Sequence, residues 1–155
     1  HGQPGAGNPF RDRRVREAIY RAIDIEAIQR NVMRGLATPT GQTLAPGNVG
    51  YVAELERRLP FDQEGARRLL REAGVPQGFS FTLDCPNDRY VNDDQVCQAV
   101  TAMLNQVGFN VTLNLMPRAR YFPKLWERDT SAYMMGFNSP HIGSIGSMVF
   151  KEMLR

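Results

Sequence analysis

Hydrophobic residues in the first half of the chain follow the spacing of amphipathic helices. Apolar side chains recur at helical intervals over residues 13–23, which predicts a first helix. Asp24 has a side chain that can cap a second helix, which we expect to end near Gly35. A third helix is predicted after Asp62, and Gly74 supplies its stop signal. The amino-terminal half is therefore rich in helix.

Polar and apolar positions alternate in three later segments, and helical periodicity fills the gaps between them. The predicted strands cover residues 79–84, 110–116 and 131–137, and the predicted helices cover residues 92–107 and 118–129. Asn92 and Gln95 form the pattern of a capping box at the start of the first of these helices. The order strand–helix–strand–helix–strand predicts an α/β fold with an open, largely parallel sheet and flanking helices.

Residues 36–52 form a segment rich in proline, glycine and threonine that has no useful period. We expect a loop there, and loops of this length usually pack across a surface or carry function. Residues 1–7 look like a linker or the remnant of a tag, and residues 8–155 are predicted to form a single α/β domain. No stretch approaches the ~18 consecutive apolar residues of a membrane span.

The net charge of +3 arises because 19 basic residues, nearly all of them arginines, outnumber 16 acidic ones. Many of the arginines lie in residues 11–21 and 57–71, where a nucleic-acid-binding surface is one interpretation. Solvated helix faces are the other, because Asp12, Glu17 and Glu64 are interleaved with the arginines. No recognised RNA- or DNA-binding motif accompanies them, so we expect no nucleic-acid partner.

The motifs that would indicate an enzyme are missing from the sequence. There is no glycine-rich loop for a dinucleotide or a nucleoside triphosphate, and no nucleophile elbow of a hydrolase. A hydrolase or transferase that uses His141 is the alternative, but this histidine lies in a serine- and proline-containing loop. Four aspartates surround one loop without the spacing of a calcium site: Asp84, Asp88, Asp93 and Asp94. Helix capping accounts better for Asp93 and can also account for Asp94, and we predict no catalytic residue, no metal site and no cofactor.

Cys85 and Cys97 are the only cysteines, too few for a metal site of the usual kind. They can form one disulfide in an oxidising compartment, or they can remain two half-buried thiols. The residues themselves leave both states open.

A short polar loop with the sequence NDRYVND joins the first predicted strand to the next helix. Ligands of open α/β sheets bind at the carboxyl ends of strands, where loops lead into helix amino termini. Arg89 beside such a helix start makes an anion site suited to a carboxylate, and Tyr90 can pack against an apolar group. The alternative is that Arg89 pairs with Asp88 or Asp93 and only fastens the loop.

Several segments together resemble one protein family. In chain order they read NPFRDRRVREAIYRAIDIEAI, MRGLATPTGQTLAPG, YVAELERRLPFDQEGARRLLREAGVPQGF, DCPNDRYVNDDQVCQAV and MPRARYFPKLWERDTSAYMMGF. Over residues 8–137 this set is similar to the dipeptide/oligopeptide family (family 5) of extracytoplasmic solute-binding proteins of ABC importers. The resemblance implies that the chain is most of the C-terminal lobe of a two-lobed, periplasmic-binding-protein-like fold.

The resemblance also implies a set of ligand contacts in the cleft between two lobes. Arg89 matches the arginine that holds the carboxyl terminus of a bound dipeptide, and Tyr90 and Asn92 lie in the same loop. Phe137 stands where relatives carry a tryptophan and Asn138 follows it, but the aspartate that would neutralise the ligand's amino group has no match. The family also binds haem, metal chelates, glutathione, sugars and opines, so a non-peptide ligand is the alternative to short peptides.

Membership of this family would place the chain in the periplasm, or on a lipid anchor outside the cytoplasm, as part of a receptor that delivers ligand to a membrane permease. The Cys85–Cys97 pair fits an exported protein, because a strand end and the following helix can approach closely enough for a disulfide. A cleft wall of Tyr90, Tyr121 and Phe137 would be exposed without the other lobe, so we expect the isolated lobe to self-associate.

Overall fold

The computed structural model describes residues 7–42, 44, 46–47 and 50–136. Its helices are α1 (Arg13–Ala22), α2 (Ile25–Ala27), α3 (Gln63–Glu72), α4 (Asp93–Gln106) and α5 (Arg118–Trp126), with 3-10 turns at Pro9–Arg11 and Ala53–Leu55 and a π-helical turn at Ile28–Val32 that continues α2. Its strands are β1 (Ser80–Pro86), β2 (Asn110–Met116) and β3 (Ala132–Tyr133). The sheet has the order β2-β1-β3 and is parallel, as the sequence predicts. No described helix is both long and apolar enough to cross a membrane.

The starts of α2 and α3 are capped by the side chains that the sequence indicates. Asp24 Oδ1 accepts a hydrogen bond from the Ala27 amide at 2.9 Å, and Asp62 Oδ1 accepts one from the Gly65 amide at 2.8 Å. Such caps satisfy amides that have no partner within the first helical turn. Gly74 follows α3 with a φ of 78°, a conformation that glycine adopts without steric cost.

The hydrophobic core lies on one face of the sheet. Phe81, Leu83 and Cys85 of β1 all point to this face, because side chains two positions apart in a strand share a side. Ala18 of α1 and Ala66 of α3 are fully buried in the same cluster. Their small side chains let two helices pack together over the strand.

Four phenylalanines pack at the edge of this core where β1 and β2 begin. They are Phe10, Phe79, Phe81 and Phe109, with ring centroids 5.2–5.8 Å apart. Most of these contacts are edge to face, the arrangement that aromatic quadrupoles favour. They attach the amino-terminal turn of the described chain to the sheet.

The opposite face of the sheet is largely polar. The register of β1 and β2 places Ser80 opposite Asn110 and Asp84 opposite Asn114. Each asparagine donates a hydrogen bond to its partner, at 2.9 and 2.7 Å. Lys124 of α5 reaches this face, with its Nζ atom 3.3 Å from Asp84 Oδ2.

The chain divides into two compact units. The first comprises the described parts of residues 1–37 and 59–134, and it holds the sheet. The second comprises the described parts of residues 38–58 and 135–155. Within the second unit, the Glu56 carboxylate accepts hydrogen bonds from the Gly41 amide at 2.9 Å and the Gln42 side chain at 3.0 Å. These bonds organise the long loop that the sequence predicts.

Two strands differ in extent from those that the sequence predicts. β1 continues through Cys85 and Pro86 instead of ending at Asp84, because both residues pair with β2. Within the described residues, β3 is limited to Ala132–Tyr133, which pair with β1.

Candidate ligand-binding site

Residues 87–92, which we name the Arg89 loop, connect β1 to α4. The Asn87 amide donates a hydrogen bond to the Met116 carbonyl at the end of β2 (3.1 Å). The loop therefore leaves the sheet beside the carboxyl ends of two parallel strands, the edge at which open α/β sheets bind ligands. Three of the predicted site residues lie here: Arg89, Tyr90 and Asn92.

Asp93, the first residue of α4, holds this loop from the inside and is only 3% exposed. Its Oδ2 atom accepts hydrogen bonds from the amides of Arg89 and Tyr90, both at 2.9 Å. Its Oδ1 atom accepts one from the Asp94 amide, also at 2.9 Å. Hydrogen bonds to an ionised acceptor are stronger than those to a neutral one. The negative charge of Asp93 therefore occupies the amino terminus of α4.

Asn92 does not cap α4, so the capping-box prediction is wrong. The residue has a left-handed conformation with a φ of 54°, and its side chain makes no capping hydrogen bond. Its Nδ2 atom donates instead to the Val32 carbonyl, 60 positions earlier in the chain, at 2.9 Å. Asn92 thus anchors the loop to the π-helical turn, and its contact with a ligand stays a prediction.

Two further contacts fix the Arg89 loop. Asp88 holds it near its start, and a disulfide joins the elements on either side of it. Asp88 Oδ1 accepts a hydrogen bond from the Arg118 amide at the start of α5, at 2.6 Å. Cys85 of β1 and Cys97 of α4 are both buried and are joined by a disulfide, with their Cα atoms 6.6 Å apart. The disulfide closes a ring that contains the whole loop. The residues alone leave open a disulfide or two free thiols, and the structure has the disulfide.

The Arg89 side chain is exposed at the surface of this fastened loop. Its guanidinium carbon lies 5.1 Å from the centre of the Tyr90 ring, within cation–π range. Among the described residues, no carboxylate forms an ion pair with Arg89. Asp88 and Asp93, the partners considered from the sequence, accept hydrogen bonds from backbone amides instead. The guanidinium therefore keeps its donors available for an anion.

The helix start contributes less to an anion site than the sequence indicates. Helix amino termini bind anions through amides that have no partner. Here the Asp94 amide already binds the Asp93 carboxylate, and the Asp93 amide donates to the Tyr90 carbonyl at 3.4 Å. The exposed guanidinium of Arg89, in the loop after β1, is a group at this edge that can bind an anion.

Three of the residues singled out from the sequence lie outside the described residues: Phe137, Asn138 and His141. Tyr121, expected on an exposed cleft wall, is instead fully buried, and its hydroxyl donates a hydrogen bond to the Met134 carbonyl. Burial raises the pKa of Tyr121 well above its usual value. The expectation of an exposed Tyr121 is wrong because α5 packs this ring onto the sheet. Self-association of the isolated lobe stays a prediction.

The aspartates around the loop form no metal site in the part of the chain that the structure describes. Asp88 and Asp93 bind backbone amides, and Asp84 pairs with Lys124 on the other side of the sheet. Polar side chains line a cleft of about 280 Å³ beside that pair. The alternation of polar and apolar residues along β1 could have indicated this cleft. Thr82 and Asp84 lie between the core residues of β1 and therefore face the other side of the sheet.

Several arginines of the helices pair with acids one turn away. Arg21 Nε lies 2.9 Å from Glu17 Oε1, and Arg68 Nε lies 3.9 Å from Glu72 Oε1. Exposed pairs at this spacing contribute roughly 0.3–0.5 kcal/mol each. The interleaved charges resemble solvated helix faces more than a continuous basic patch.

A family comparison covers most of the chain. Residues 4–145 match the bacterial extracellular solute-binding proteins, family 5, in the middle region of that family's model. The glutathione-binding protein GsiB of Escherichia coli (strain K12) is 37% identical over 109 residues, which make up 70% of this chain and 20% of GsiB. Relatives of this kind are named as binding proteins rather than enzymes.

Solved structures share the fold. The periplasmic binding protein DppA of Helicobacter pylori, in complex with the peptide STSA, has a TM-score of 0.78 at 21% identity, over 86% of this chain and 25% of DppA. AgaA of A. tumefaciens R10, in complex with agropinic acid, has a TM-score of 0.74 at 30% identity, over 83% of this chain and 26% of AgaA. The chain thus spans 20% to 26% of the length of these three proteins. With its fold and most of its sequence matched, the chain belongs to the bacterial extracellular solute-binding proteins of family 5.

Proposed function

We propose that this chain forms most of the C-terminal lobe of a two-lobed receptor that captures short peptides for an ABC importer. The family of the chain supports the role in solute capture. The chain spans only 20% of GsiB, which supports its being one part of a larger receptor. In such a receptor the ligand lies in a cleft between the lobes, which close around it about a hinge. This chain supplies one wall of the cleft, and the receptor delivers its ligand to a membrane permease.

The observation that carries the proposal is the exposed Arg89 guanidinium at a strand end, with no carboxylate partner among the described residues. Guanidinium groups bind carboxylates through two parallel hydrogen bonds. Hydrogen bonds to charged groups contribute roughly 1.5–3 kcal/mol each. Arg89 holds the terminal carboxylate of the ligand, and Tyr90 packs against a neighbouring side chain of the ligand. The other proposed ligand contacts are Asn92, Phe137 and Asn138.

A carboxylate is common to the ligands named for two of the relatives. Glutathione, the ligand of GsiB, is a tripeptide that carries more than one carboxylate. Agropinic acid, bound to AgaA, is also a carboxylic acid. We therefore propose a ligand of dipeptide or tripeptide size with a terminal carboxylate. An opine-like acid is the second candidate, because AgaA is 30% identical to this chain.

The Cys85–Cys97 disulfide suits a receptor that works outside the cytoplasm. Disulfides persist in oxidising compartments such as the periplasm and the cell surface. The family is described as extracellular, and we propose the periplasm or a lipid-anchored position outside the membrane for the whole protein.

The test uses the full-length protein that contains this chain. Native mass spectrometry of gently purified protein identifies the ligand that co-purifies, and calorimetric titration measures the affinity for dipeptides and glutathione. Arg89→Ala should weaken binding roughly tenfold to a hundredfold, because one charge-assisted contact is lost. Peptides with an amidated carboxyl terminus should bind the unmodified protein as weakly as free peptides bind this variant.

The matched control is Arg68→Ala, because Arg68 is an exposed arginine on α3. We expect this variant to bind as the unmodified protein does. Recovery of haem, a sugar or a metal chelate would overturn the peptide ligand while keeping the fold. Unchanged affinity in Arg89→Ala would overturn the role of Arg89.

A further inference from the structure

Asp93 is a buried acid that the proposed ligand contacts do not use. Among the described residues, two charged side chains are buried, Asp84 and Asp93. Asp84 has Lys124 as its counter-charge. No described cation pairs with Asp93. A buried charge is costly unless hydrogen bonds replace its lost water. The amides that point at Asp93 supply those hydrogen bonds.

Two of these amides belong to the residues that form the candidate site. The consecutive amides of Arg89 and Tyr90 converge on one oxygen, Oδ2 of Asp93, each at 2.9 Å. This geometry fixes the backbone on which the Arg89 side chain is mounted. The Cys85–Cys97 disulfide restrains the same segment at its ends. A loop held in this way loses little conformational entropy on binding, which favours affinity.

We propose that Asp93 is a positioning residue for ligand binding, an inference that rests on the proposed function of the Arg89 loop. Its buried carboxylate holds the Arg89 guanidinium where it receives the ligand carboxylate, without contacting the ligand itself. The same carboxylate occupies the amino terminus of α4. The ligand anion is therefore bound by the guanidinium and not by the helix amides.

Titration of glutathione into the full-length protein tests the role of Asp93. Asp93→Ala removes the acceptor of both loop amides, and we expect it to bind roughly tenfold more weakly. Asp93→Asn keeps an oxygen that can accept from both amides, so its affinity should stay within about threefold of the unmodified protein. Asp94→Ala is the matched control, because it removes a charge from the same helical turn without removing a loop hydrogen bond. It should bind as the unmodified protein does.

A double-mutant cycle separates positioning from a general loss of stability. If Asp93 acts through Arg89, adding Asp93→Ala to the Arg89→Ala variant should not weaken binding further. Hydrogen exchange of the Arg89 and Tyr90 amides should be slow in the unmodified protein and in Asp93→Asn, and fast in Asp93→Ala.

The outcomes distinguish this inference from the proposed function. Normal affinity in Asp93→Ala, or an equal loss with and without Arg89, would overturn the positioning role and leave the role of Arg89 intact. Normal binding by Arg89→Ala would overturn the role of Arg89 and the inference that depends on it. Failure of the unmodified protein to bind glutathione or any dipeptide would overturn the proposed function and the inference together.

Discussion

The Asp84 carboxylate lies 3.3 Å from the Lys124 ammonium on the polar face of the sheet. Asp84 is fully buried, whereas the Lys124 side chain is 24% exposed. Lys124 also donates a hydrogen bond to the Asp129 carbonyl. Burial by itself would lower the pKa of Lys124, but its interactions with the carboxylates of Asp129 and Asp84 outweigh burial and raise that pKa. The buried acid therefore has a stably charged partner.

Lys124→Met removes this partner and keeps the aliphatic stem. We expect the free energy of unfolding to fall by about 3 kcal/mol, near the lower end for a broken buried pair, because Lys124 is partly exposed. Adding Asp84→Asn should restore most of the loss, since a neutral amide needs no counter-charge. Urea unfolding of the three proteins measures both effects. Equal stability of Lys124→Met and the unmodified protein would show that the pair contributes nothing.

Tyr121→Phe tests the hydrogen bond that attaches α5 to the segment after β3. The substitution leaves the carbonyl of the half-buried Met134 without its hydroxyl donor, and loss of one intramolecular hydrogen bond costs about 0.5–1.5 kcal/mol. Tyr133→Phe is the control, because Tyr133 is 49% exposed and should change stability by less than ~0.5 kcal/mol. Thermal unfolding compares them, and equal midpoints would contradict the assigned role of the hydroxyl.

Glycine is required at position 78 for two reasons, and position 74 isolates one of them. Both glycines have positive φ, 62° at Gly78 and 78° at Gly74. A Cβ at Gly78 would lie 2.7 Å from the Gly108 carbonyl oxygen, whereas one at Gly74 would have nothing within 4 Å. Gly74→Ala should therefore cost about 1–2 kcal/mol from backbone strain alone. Gly78→Ala should cost roughly 1–3 kcal/mol more, because backbone atoms must move apart.

Denaturant unfolding of the two alanine variants measures the difference between these positions. A cost at position 78 no larger than that at position 74 would mean that the chain relaxes around the added methyl group.

Glu56 should make the loop of the second compact unit sensitive to acid. The hydrogen bond from the Gly41 amide, followed by that from the Gln42 side chain, lowers the pKa of Glu56 below its ordinary value of 4.5. A group with a lowered folded pKa stabilises the fold above its unfolded pKa and loses this effect as the pH falls through the folded pKa. Glu56→Gln should therefore speed hydrogen exchange of the Gly41 amide at neutral pH.

The difference between Glu56→Gln and the unmodified protein should shrink as the pH falls below 4.5. Glu54→Gln, at an exposed neighbouring position, should behave as the unmodified protein does throughout. A difference that stays constant across this range would rule out titration of Glu56 as its cause.

Local patterns were sufficient to predict the elements and the fold class. The caps at Asp24 and Asp62 act within one helical turn, so their residue types alone place the helix starts. The periodicity of apolar residues in the second half is also a local pattern. It predicts alternating strands and helices, and that order indicates a parallel sheet. The position of Arg89 in the short loop that follows a strand is also a local property of the sequence.

Contacts between distant segments decided where these predictions failed. Asn92 is a residue type that often caps helices, but its side chain donates a hydrogen bond to the Val32 carbonyl, 60 positions away. β1 runs past Asp84 because β2 lies beside it and supplies paired residues. Tyr121 is buried because α5 packs against the sheet. The spacing of apolar residues along α5 does not by itself determine this packing.

By itself, the sequence determined the succession of helices and strands, the α/β class and the loop that carries Arg89, because these follow from interactions between near neighbours. Only the tertiary structure decided that the Asp93 carboxylate holds this loop and that Cys85 and Cys97 are joined. It also decided that, among the described residues, Asp88 binds a backbone amide of α5 and leaves the Arg89 guanidinium available. Each of these features depends on which atoms meet in the folded chain, and residue type and spacing do not specify that.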